Sequence, residues 1–403
     1  MFRNPGSSLL VAILIATGRG SAGDHETKGP PRPSLPLRTQ GRWIVDAEGR
    51  RFKLAGVNWY GAEQKDFVVG GLDRALLADI ASSIRSMGFN SVRIPWSNEM
   101  VEKDPRVGDA HLAANTALKG KRALGVLDAV VGALWAEGVV VILDNHMSDA
   151  DWPSGEGDGN GLWWNDRYPE KDWIADWRAL ARRYASMPAV VGADLRNEPR
   201  PAVLRDGRRR VPVWGGADPE VDWRAAAERC GNAVLEENPR LLVFVEGVDF
   251  ASDFSGAHPD PIRFKVPNRL VWSPHDYSWF HNGLRSSEDL HADLGRRWGF
   301  LLVQDQSWTA PVWVGEFGTP HGSADDVYAP SGPGLWYRSF RAYLCAADID
   351  WCYWALNGTQ SRGATRTFGA EETFGVLDMD WKAPALRRHA DALRTLQPAT
   401  QGP

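Results

Sequence analysis

Two glutamates stand at the ends of short apolar runs that lie far apart in the sequence. Glu198 closes the run that begins at Val190, and Glu316 closes the run that begins at Pro311. Each run predicts a short buried strand whose last residue is acidic. Paired carboxylates at strand ends are what hydrolysis of a glycosidic bond requires, so these two residues are the first candidates for catalysis.

Other polar and aromatic side chains cluster at the same ends of the predicted strands. They are Arg93, His146, Asn197, His275, Tyr277 and Trp354. Taken singly, each has a structural explanation: an ion pair for the arginine, a hydrogen-bonded core imidazole for either histidine, and packing for the aromatic residues. Because all of them fall at the same end of a parallel strand, together they predict an active site.

Eight strand-like runs, mostly separated by helix-like runs, would position these side chains. The strands are predicted at 54–58, 91–95, 139–143, 190–198, 241–245, 270–273, 311–316 and 350–354, and the helices at 76–87, 124–135, 173–187, 223–237, 288–302 and 334–346. The strands are apolar rather than alternating, which indicates an α/β fold with a parallel sheet covered on both faces. Closing eight such units gives a single (β/α)8 TIM barrel with an N-terminal β-hairpin and long loops at the C-terminal face. A doubly wound open sheet is the alternative, but no glycine-rich phosphate motif follows the first strand.

Tryptophan is abundant, with 20 residues, and many lie in loop-like segments. Core packing and stacking against sugar rings explain such residues equally well. Trp163 and Trp164 follow the third strand on a long loop that also carries Trp152, and we hypothesise that this loop walls the cleft. Its segment 148–161 is rich in acids and glycine, so a Ca²⁺ loop is the alternative. The ligand spacing of an EF-hand is missing, and we therefore predict no metal.

The sequences Asn-Glu-Pro at 197–199 and Gly-Glu-Phe-Gly at 315–318 resemble the two catalytic signatures of the family 5 glycoside hydrolases. The resemblance spans about residues 43–396 and includes Arg93, His146, His275, Tyr277 and Trp354. Segments 222–229 and 244–248 are similar to the bacterial endoglucanase branch, whereas 357–363 departs from it. The resemblance implies retention of anomeric configuration, with Glu316 as nucleophile and Glu198 as general acid and then base.

Electrostatic reasoning agrees with that division of roles. A nucleophilic carboxylate must stay ionised, and Arg93 and the Tyr277 hydroxyl are the neighbours expected to keep Glu316 so. The acid must hold a proton near neutral pH, so burial and the charge of Glu316 are expected to raise the pKa of Glu198.

The remaining site residues are expected to bind and orient the sugar. Asn197 should hydrogen-bond the sugar 2-hydroxyl, a contact that tightens in the transition state. His146 and His275 should bind hydroxyls or hold the carboxylates in place. Trp354 should form the floor beneath the reacting sugar.

The N-terminus has the features of an exported protein. Arg3 is followed by a short apolar run and then by small residues, so 1–22 is predicted to be a cleaved signal peptide. Residues 23–41 are predicted to be a flexible linker, and 42–397 the catalytic barrel. Cys230 is expected to be a buried thiol, whereas Cys345 and Cys352 leave the question of a bridge open.

Composition excludes several classes of protein. The formal net charge is −5, so a nucleic-acid role is not expected, and the basic cluster 205–210 is interpreted as a solvated loop. We expect a secreted monomer that acts on a polysaccharide or oligosaccharide, with no cofactor and no membrane contact after signal cleavage. The leading substrate is β-1,4-glucan. Mannan, β-1,3- or β-1,6-glucan and glycosylceramide remain open, as does a carbohydrate-binding barrel without catalysis.

Overall fold

The computed structural model describes residues 32–321 and 328–397. They form the predicted (β/α)8 barrel around a parallel sheet. The strands are β1 (Arg38–Gln40), β2 (Trp43–Val45), β3 (Ala55–Asn58), β4 (Ser91–Ser97), β5 (Val140–Met147), β6 (Val190–Asp194), β7 (Ala202–Val203), β8 (Arg209–Arg210), β9 (Leu242–Val245), β10 (Leu270–Trp272), β11 (His275–Asp276), β12 (Trp313–Phe317) and β13 (Asp350–Tyr353).

The barrel closes at an interrupted strand. The parallel order runs β10-β9-β6-β5-β4-β3-β13-β12-β11, so β10 and β11 stand at its two ends. These two strands together form one interrupted strand of the barrel, separated only by Ser273 and Pro274. A bridge from Trp272 to Val312 and the pairing of His275 with Glu316 join both parts to the β12 side. The closure therefore brings His275 beside Glu316.

The helices surround the sheet. They are α1 (Leu77–Ser86), α2 (Asn98–Lys103), α3 (Ala123–Ala136), α4 (Glu170–Arg183), α5 (Trp223–Glu237), the single turn α6 (Val248–Ala251), α7 (Ser287–Arg297), α8 (Gly332–Ala346) and α9 (Arg387–Arg394). Helix α5 has the predicted bounds because the Asp222 side chain caps it by accepting from the backbone N–H of Ala225. Among the described residues, no helix has the length and apolar character needed to cross a membrane.

The barrel interior changes from apolar to polar along its axis. At the N-terminal end an apolar cluster includes Ile142 of β5 and Phe244 of β9, and Ile44 of β2 and Leu37, just before β1, also belong to it. Alternate residues of a strand share a face, so the same interior face continues with Asp144 and Glu246. The active-site polar groups therefore rest on a packed apolar layer, which fixes the strand ends that carry them.

Two predicted boundaries require correction. Strand β6 ends at Asp194, so Glu198 does not end a strand but lies four residues beyond it, in the loop. Part of the predicted linker is structured, because Arg38–Gln40 pairs with Trp43–Val45 and Leu37 is buried. Residues 1–22 of the predicted signal peptide and residues 23–31 of the predicted linker lie outside the described residues. The three cysteines are free thiols, with Cys345 exposed and the other two buried.

Candidate active site

A cleft with a volume of about 250 Å³ opens at the carboxyl ends of the barrel strands. The predicted residues that line it are His146, Asn197, Glu198, Tyr277, Glu316 and Trp354, and the others are Trp152, Pro153, Trp279, Arg366, Glu372 and Phe374. Arg93 and His275 are fully buried and contact the cleft glutamates from below. The fold thus brings together eight of the ten side chains proposed from the sequence.

The two glutamates face each other closely. One carboxylate oxygen of Glu198 and one of Glu316 lie within 4.8 Å of each other and of a ring nitrogen of His275. Retaining glycosidases place their carboxyl groups about 5–5.5 Å apart, whereas inverting enzymes keep about 6.5–9.5 Å for a water molecule. The close approach of these two oxygens agrees with the shorter of the two separations.

Glu316 is held by two donors of different kinds. Nη1 of Arg93 lies 2.6 Å from its Oε1, and the Tyr277 hydroxyl donates to its Oε2 at 2.9 Å. Burial, with the nearby charge of Glu316, raises the pKa of Tyr277 well above its ordinary value, so the phenol stays a donor. Gly315 is required beside it, because a Cβ there would lie 2.6 Å from Oγ of Ser273.

Arg93 is the cation around which the site is arranged. Its guanidinium contacts Asn197 Oδ1 at 3.0 Å, and it pairs with four carboxylates at 2.6–3.1 Å: Asp144, Asp194, Glu246 and Glu316. Burial opposes the charge, but these carboxylates outweigh burial and raise the pKa of Arg93 further above its ordinary value. Arg93 is therefore a permanent positive charge beneath Glu316.

Glu198 differs from expectation in its protonation. Burial alone would raise its pKa, but the hydrogen bond from His275 Nδ1 at 3.0 Å and the charge of that ring outweigh burial and hold the pKa of Glu198 below its ordinary value. The expectation of a raised pKa is therefore wrong for the ligand-free site. Sequence reasoning missed this effect because it counted the charge of Glu316 and not that of His275.

His275 lies between carboxylates on both sides of its ring. Nδ1 lies 3.0 Å from Glu198 and 3.7 Å from Glu316, and Nε2 lies 3.3 Å from Glu246. Burial alone would lower the pKa of His275, but the carboxylates of Glu246, Glu316 and Glu198 raise it well above its ordinary value. The negative charges on both sides of the ring favour its doubly protonated form, so the ring is a cation.

The floor of the cleft is aromatic. Trp354 stacks on Tyr60 with ring centroids 5.3 Å apart and on His146 with centroids 5.5 Å apart. Burial lowers the pKa of His146 to about 3, so its ring is neutral, and Nδ1 contacts Asp144 at 2.6 Å. A flat ring backed by two others presents a rigid face against which a sugar can stack.

The sequence matches the family model Cellulase (glycosyl hydrolase family 5) over residues 45–360. The chain belongs to glycosyl hydrolase family 5. It is 33% identical over 361 residues to an endoglucanase of Paenibacillus polymyxa, covering 85% of this chain and 82% of that one. It is 30% identical over 394 residues to the major extracellular endoglucanase of Xanthomonas campestris pv. campestris, covering 93% and 72%.

Similarity in structure agrees with the family assignment. The catalytic domain of the major endoglucanase from Xanthomonas campestris pv. campestris matches with a TM-score of 0.75 at 28% identity, covering 90% of this chain and 99% of that domain. The protein is therefore a glycoside hydrolase of the endo-β-glycanase type that acts on polysaccharide.

Two of the proposed cleft residues lie elsewhere in this family 5 enzyme. Trp163 is fully buried, packs on Trp173 and Trp223, and donates from Nε1 to Glu170 at 2.9 Å. Trp164 donates to the backbone oxygen of Glu220 and borders a different surface depression. Their assignment to the cleft wall was wrong, because the loop turns them outward into the helix layer.

Trp152 and Trp279 are the loop tryptophans that do border the cleft. Trp279 is 53% exposed and stacks on Tyr277 with ring centroids 4.3 Å apart. Trp152 packs edge-on against Tyr60 at 5.5 Å. The local sequence gives no sign of which tryptophans reach the cleft, since each of these loops is long and irregular.

The chain after β13, just beyond the segment 357–363 that departs from the endoglucanase pattern, builds one wall of the cleft. Arg366 lies over the Trp152 ring, 3.7 Å from its centroid, and pairs with the buried Glu372. Glu372 also accepts from the Tyr60 hydroxyl at 2.5 Å. Sequence reasoning missed both charged residues, since neither follows a strand end.

The acid-rich segment 148–161 carries its charges in ion pairs. Asp149 pairs with Arg167, Asp151 with Lys65, Glu156 with Arg209, and Asp158 with Arg200, at 2.6–3.1 Å. A Ca²⁺ site needs several carboxylates converging on one point, whereas these side chains are each engaged by a separate cation.

Proposed function

We propose that this chain is a secreted, retaining endo-β-1,4-glucanase that uses Glu316 as nucleophile and Glu198 as acid and base. The observation that carries the mechanism is the 4.8 Å limit on the separation of carboxylate oxygens of Glu198 and Glu316. Such closeness supports direct attack by one carboxylate, as in retaining enzymes, over the wider separation that inverting enzymes keep for the attacking water.

The first step forms a covalent intermediate. An oxygen of Glu316 attacks the anomeric carbon, the bond from that carbon to the leaving oxygen breaks, and Glu198 gives the leaving oxygen a proton. In the ligand-free site this proton rests on His275, 3.0 Å from Glu198, and it moves across that hydrogen bond before it is donated. In the second step Glu198 takes a proton from water, whose oxygen displaces Glu316.

Neighbouring groups stabilise the charges that develop. Arg93 and Tyr277 donate to the two oxygens of the Glu316 carboxylate and hold it in place for attack. Arg93 takes the amide oxygen of Asn197, which leaves the amide NH₂ group to donate to the sugar 2-hydroxyl. Trp354 stacks beneath the reacting sugar.

The substrate and location rest on the relatives and on the cleft. The two relatives named above are endoglucanases, and the second is described as extracellular. The cleft is bordered by Trp152, Trp279 and Trp354, as flat β-linked glucosyl units require. An apolar run near the N-terminus agrees with export.

Product analysis tests the substrate. Soluble cellulose derivatives, mannan and laminarin would be incubated with the enzyme, and the released reducing ends and oligosaccharides measured. We expect rapid release from the β-1,4-glucan and a mixture of oligomers, as an endo mode requires. Preferential cleavage of mannan or laminarin would contradict the substrate, and tight binding without release would contradict catalysis.

Azide tests the nucleophile. Glu316→Ala should lose activity by several orders of magnitude and regain part of it with azide, which enters the vacated space and yields a glycosyl azide of inverted configuration. Glu198→Ala serves as the comparison, because its azide product should keep the original configuration. Full activity in either variant without azide would refute the roles.

A further inference from the structure

We propose that Glu246 is a positioning residue that holds Glu198 in place for proton transfer, acting through the Glu198 backbone and through His275. This inference rests on the proposed role of Glu198 as acid and base. Glu246 does not line the cleft, and it directly follows strand β9.

Glu246 is fully buried and its carboxylate meets three active-site groups. Its Oε2 accepts from the backbone N–H of Glu198 at 2.6 Å, and its Oε1 lies 3.1 Å from Arg93 Nη2 and 3.3 Å from His275 Nε2. All three neighbours are donors. Burial raises the pKa of Glu246 to about 8, and the charges of His275 and Arg93 oppose that rise. Glu246 thus links three site residues through one carboxyl group.

The backbone contact bears on an unfavourable conformation. Glu198 has a φ of +47°, a left-handed value that residues with side chains rarely adopt. Strand β6 has already ended, so no sheet hydrogen bond holds this peptide. The hydrogen bond from the Glu198 N–H to Glu246 keeps the residue in that conformation, and the direction of the Glu198 side chain follows from it.

The imidazole contact bears on the proton. His275 faces Glu198 and Glu316 through Nδ1 and faces Glu246 through Nε2. In the ionised form of Glu246, its Oε1 places a negative charge 3.3 Å from Nε2, which favours the doubly protonated ring that keeps a proton on Nδ1 for Glu198. Carboxylate oxygens of Asp144 and Asp194 lie within 4.8 Å of Glu246, and Arg93 lies between them. Removing the charge of Glu246 weakens the hold on the proton that Glu198 delivers.

The chemical consequence depends on the leaving group. A poor leaving group needs a proton as the glycosidic bond breaks, whereas a highly acidic phenol leaves with little assistance. If Glu246 acts through proton delivery, its loss must slow the first kind of substrate more than the second. A general loosening of the barrel would slow both equally.

The test compares aryl β-cellobiosides that carry phenol or 2,4-dinitrophenol as leaving group. The variants are Glu246→Gln, which removes the charge, and Glu246→Asp, which keeps the charge on a side chain one methylene shorter. Asp350→Asn is the matched control, because Asp350 is also a buried carboxylate that accepts a backbone N–H and pairs with an arginine, at the opposite end of the barrel.

We expect kcat/KM of Glu246→Gln to fall at least about tenfold more on the phenyl than on the dinitrophenyl substrate, with Glu246→Asp showing the same trend. Asp350→Asn should change both values by the same factor. Parallel losses on the two substrates, or none, in whichever Glu246 variant folds by circular dichroism would overturn the inference. A wild-type enzyme inactive on both substrates and on cellulose would instead refute the proposed function on which it rests.

Discussion

The Nδ1 atom of His275 lies 3.0 Å from Oε1 of Glu198, and this contact determines where the active-site proton rests. Surrounding carboxylates raise the pKa of the imidazole, while the hydrogen bond holds the pKa of Glu198 down. In the ligand-free enzyme the proton therefore sits on the ring, one hydrogen bond from the carboxylate that uses it. The two residues titrate as a pair.

This pairing predicts the alkaline side of the pH profile. Activity requires one proton on the pair, so kcat/KM should fall as pH rises through the raised pKa of His275. In His275→Asn the proton must stay on Glu198 alone, so the alkaline limb should move to lower pH by about one unit or more. Measuring kcat/KM from pH 4 to 10, a range chosen to span both limbs, checks this.

His291→Asn provides the control for that pH series, since His291 packs against Tyr343 outside the cleft. It should leave both limbs where they are in the wild type. An alkaline limb that stays in place in His275→Asn would mean that the imidazole does not share the catalytic proton.

Arg93→Lys should strongly reduce activity, although lysine keeps the positive charge. A lysine has one compact ammonium group and cannot contact Asp194, Glu246, Asn197 and Glu316 at once. Buried carboxylates would be left unpaired, so we expect kcat to fall by about 10²–10³-fold on cellulose derivatives, as when a positioned charge-stabilising donor is removed. Steady-state kinetics measures this, and a loss below about tenfold would contradict the central place of Arg93.

Arg366 should affect binding of the glucan chain. Arg366→Ala removes the cation over the Trp152 ring and unpairs Glu372, so one cleft wall loosens. We expect KM for cello-oligosaccharides to rise by about tenfold, roughly the loss of one desolvated cation–π contact. Arg362→Ala is the control, because Arg362 is in the same segment with a largely exposed side chain. An equal KM for the two variants would show that Arg366 does not contribute to substrate binding.

Trp163 should affect stability and not binding. Trp163→Phe keeps an aromatic ring in the buried cluster but loses the hydrogen bond to Glu170. The expected decrease in the free energy of unfolding is about 1–3 kcal/mol, from lost packing and one buried hydrogen bond. Urea unfolding measures it, while KM for cello-oligosaccharides at 25 °C should match the wild type. A changed KM would show that Trp163 contributes to substrate binding and would contradict a purely structural role.

The barrel could be predicted from the sequence because the hydrophobic patterns of its strands and helices differ sharply. The apolar runs that became β5 and β9 are continuous, and helix α5 begins and ends where its spacing predicted. The main differences are at strand ends. Glu198 lies beyond β6 because the strand's hydrogen bonds stop at Asp194, which no local pattern indicates.

The candidate site was predictable where residues follow strand ends, and not where long loops fold back. Arg93, His275 and Glu316 were found because each lies in or directly beside an apolar strand run. Glu246 also continues a strand, two residues after the interior Phe244, so alternation along β9 was a signal that could have found it.

The positions of the loop residues relative to the cleft could be found only from the structure. Arg366 reaches the cleft because its segment crosses to the loop after β5, where the backbone N–H of Ala364 contacts Asp151. Trp163 and Trp152 belong to one loop yet point to different layers. Such contacts depend on how two irregular segments pack, and neither composition nor periodicity determines that.

The configuration of the first product tests the paired-glutamate account most directly. Proton NMR during hydrolysis of a β-linked cello-oligosaccharide would record the anomer formed before mutarotation. Carboxylate oxygens within 4.8 Å of each other predict that the β-anomer appears first. Initial formation of the α-anomer would contradict double displacement by Glu316 and Glu198.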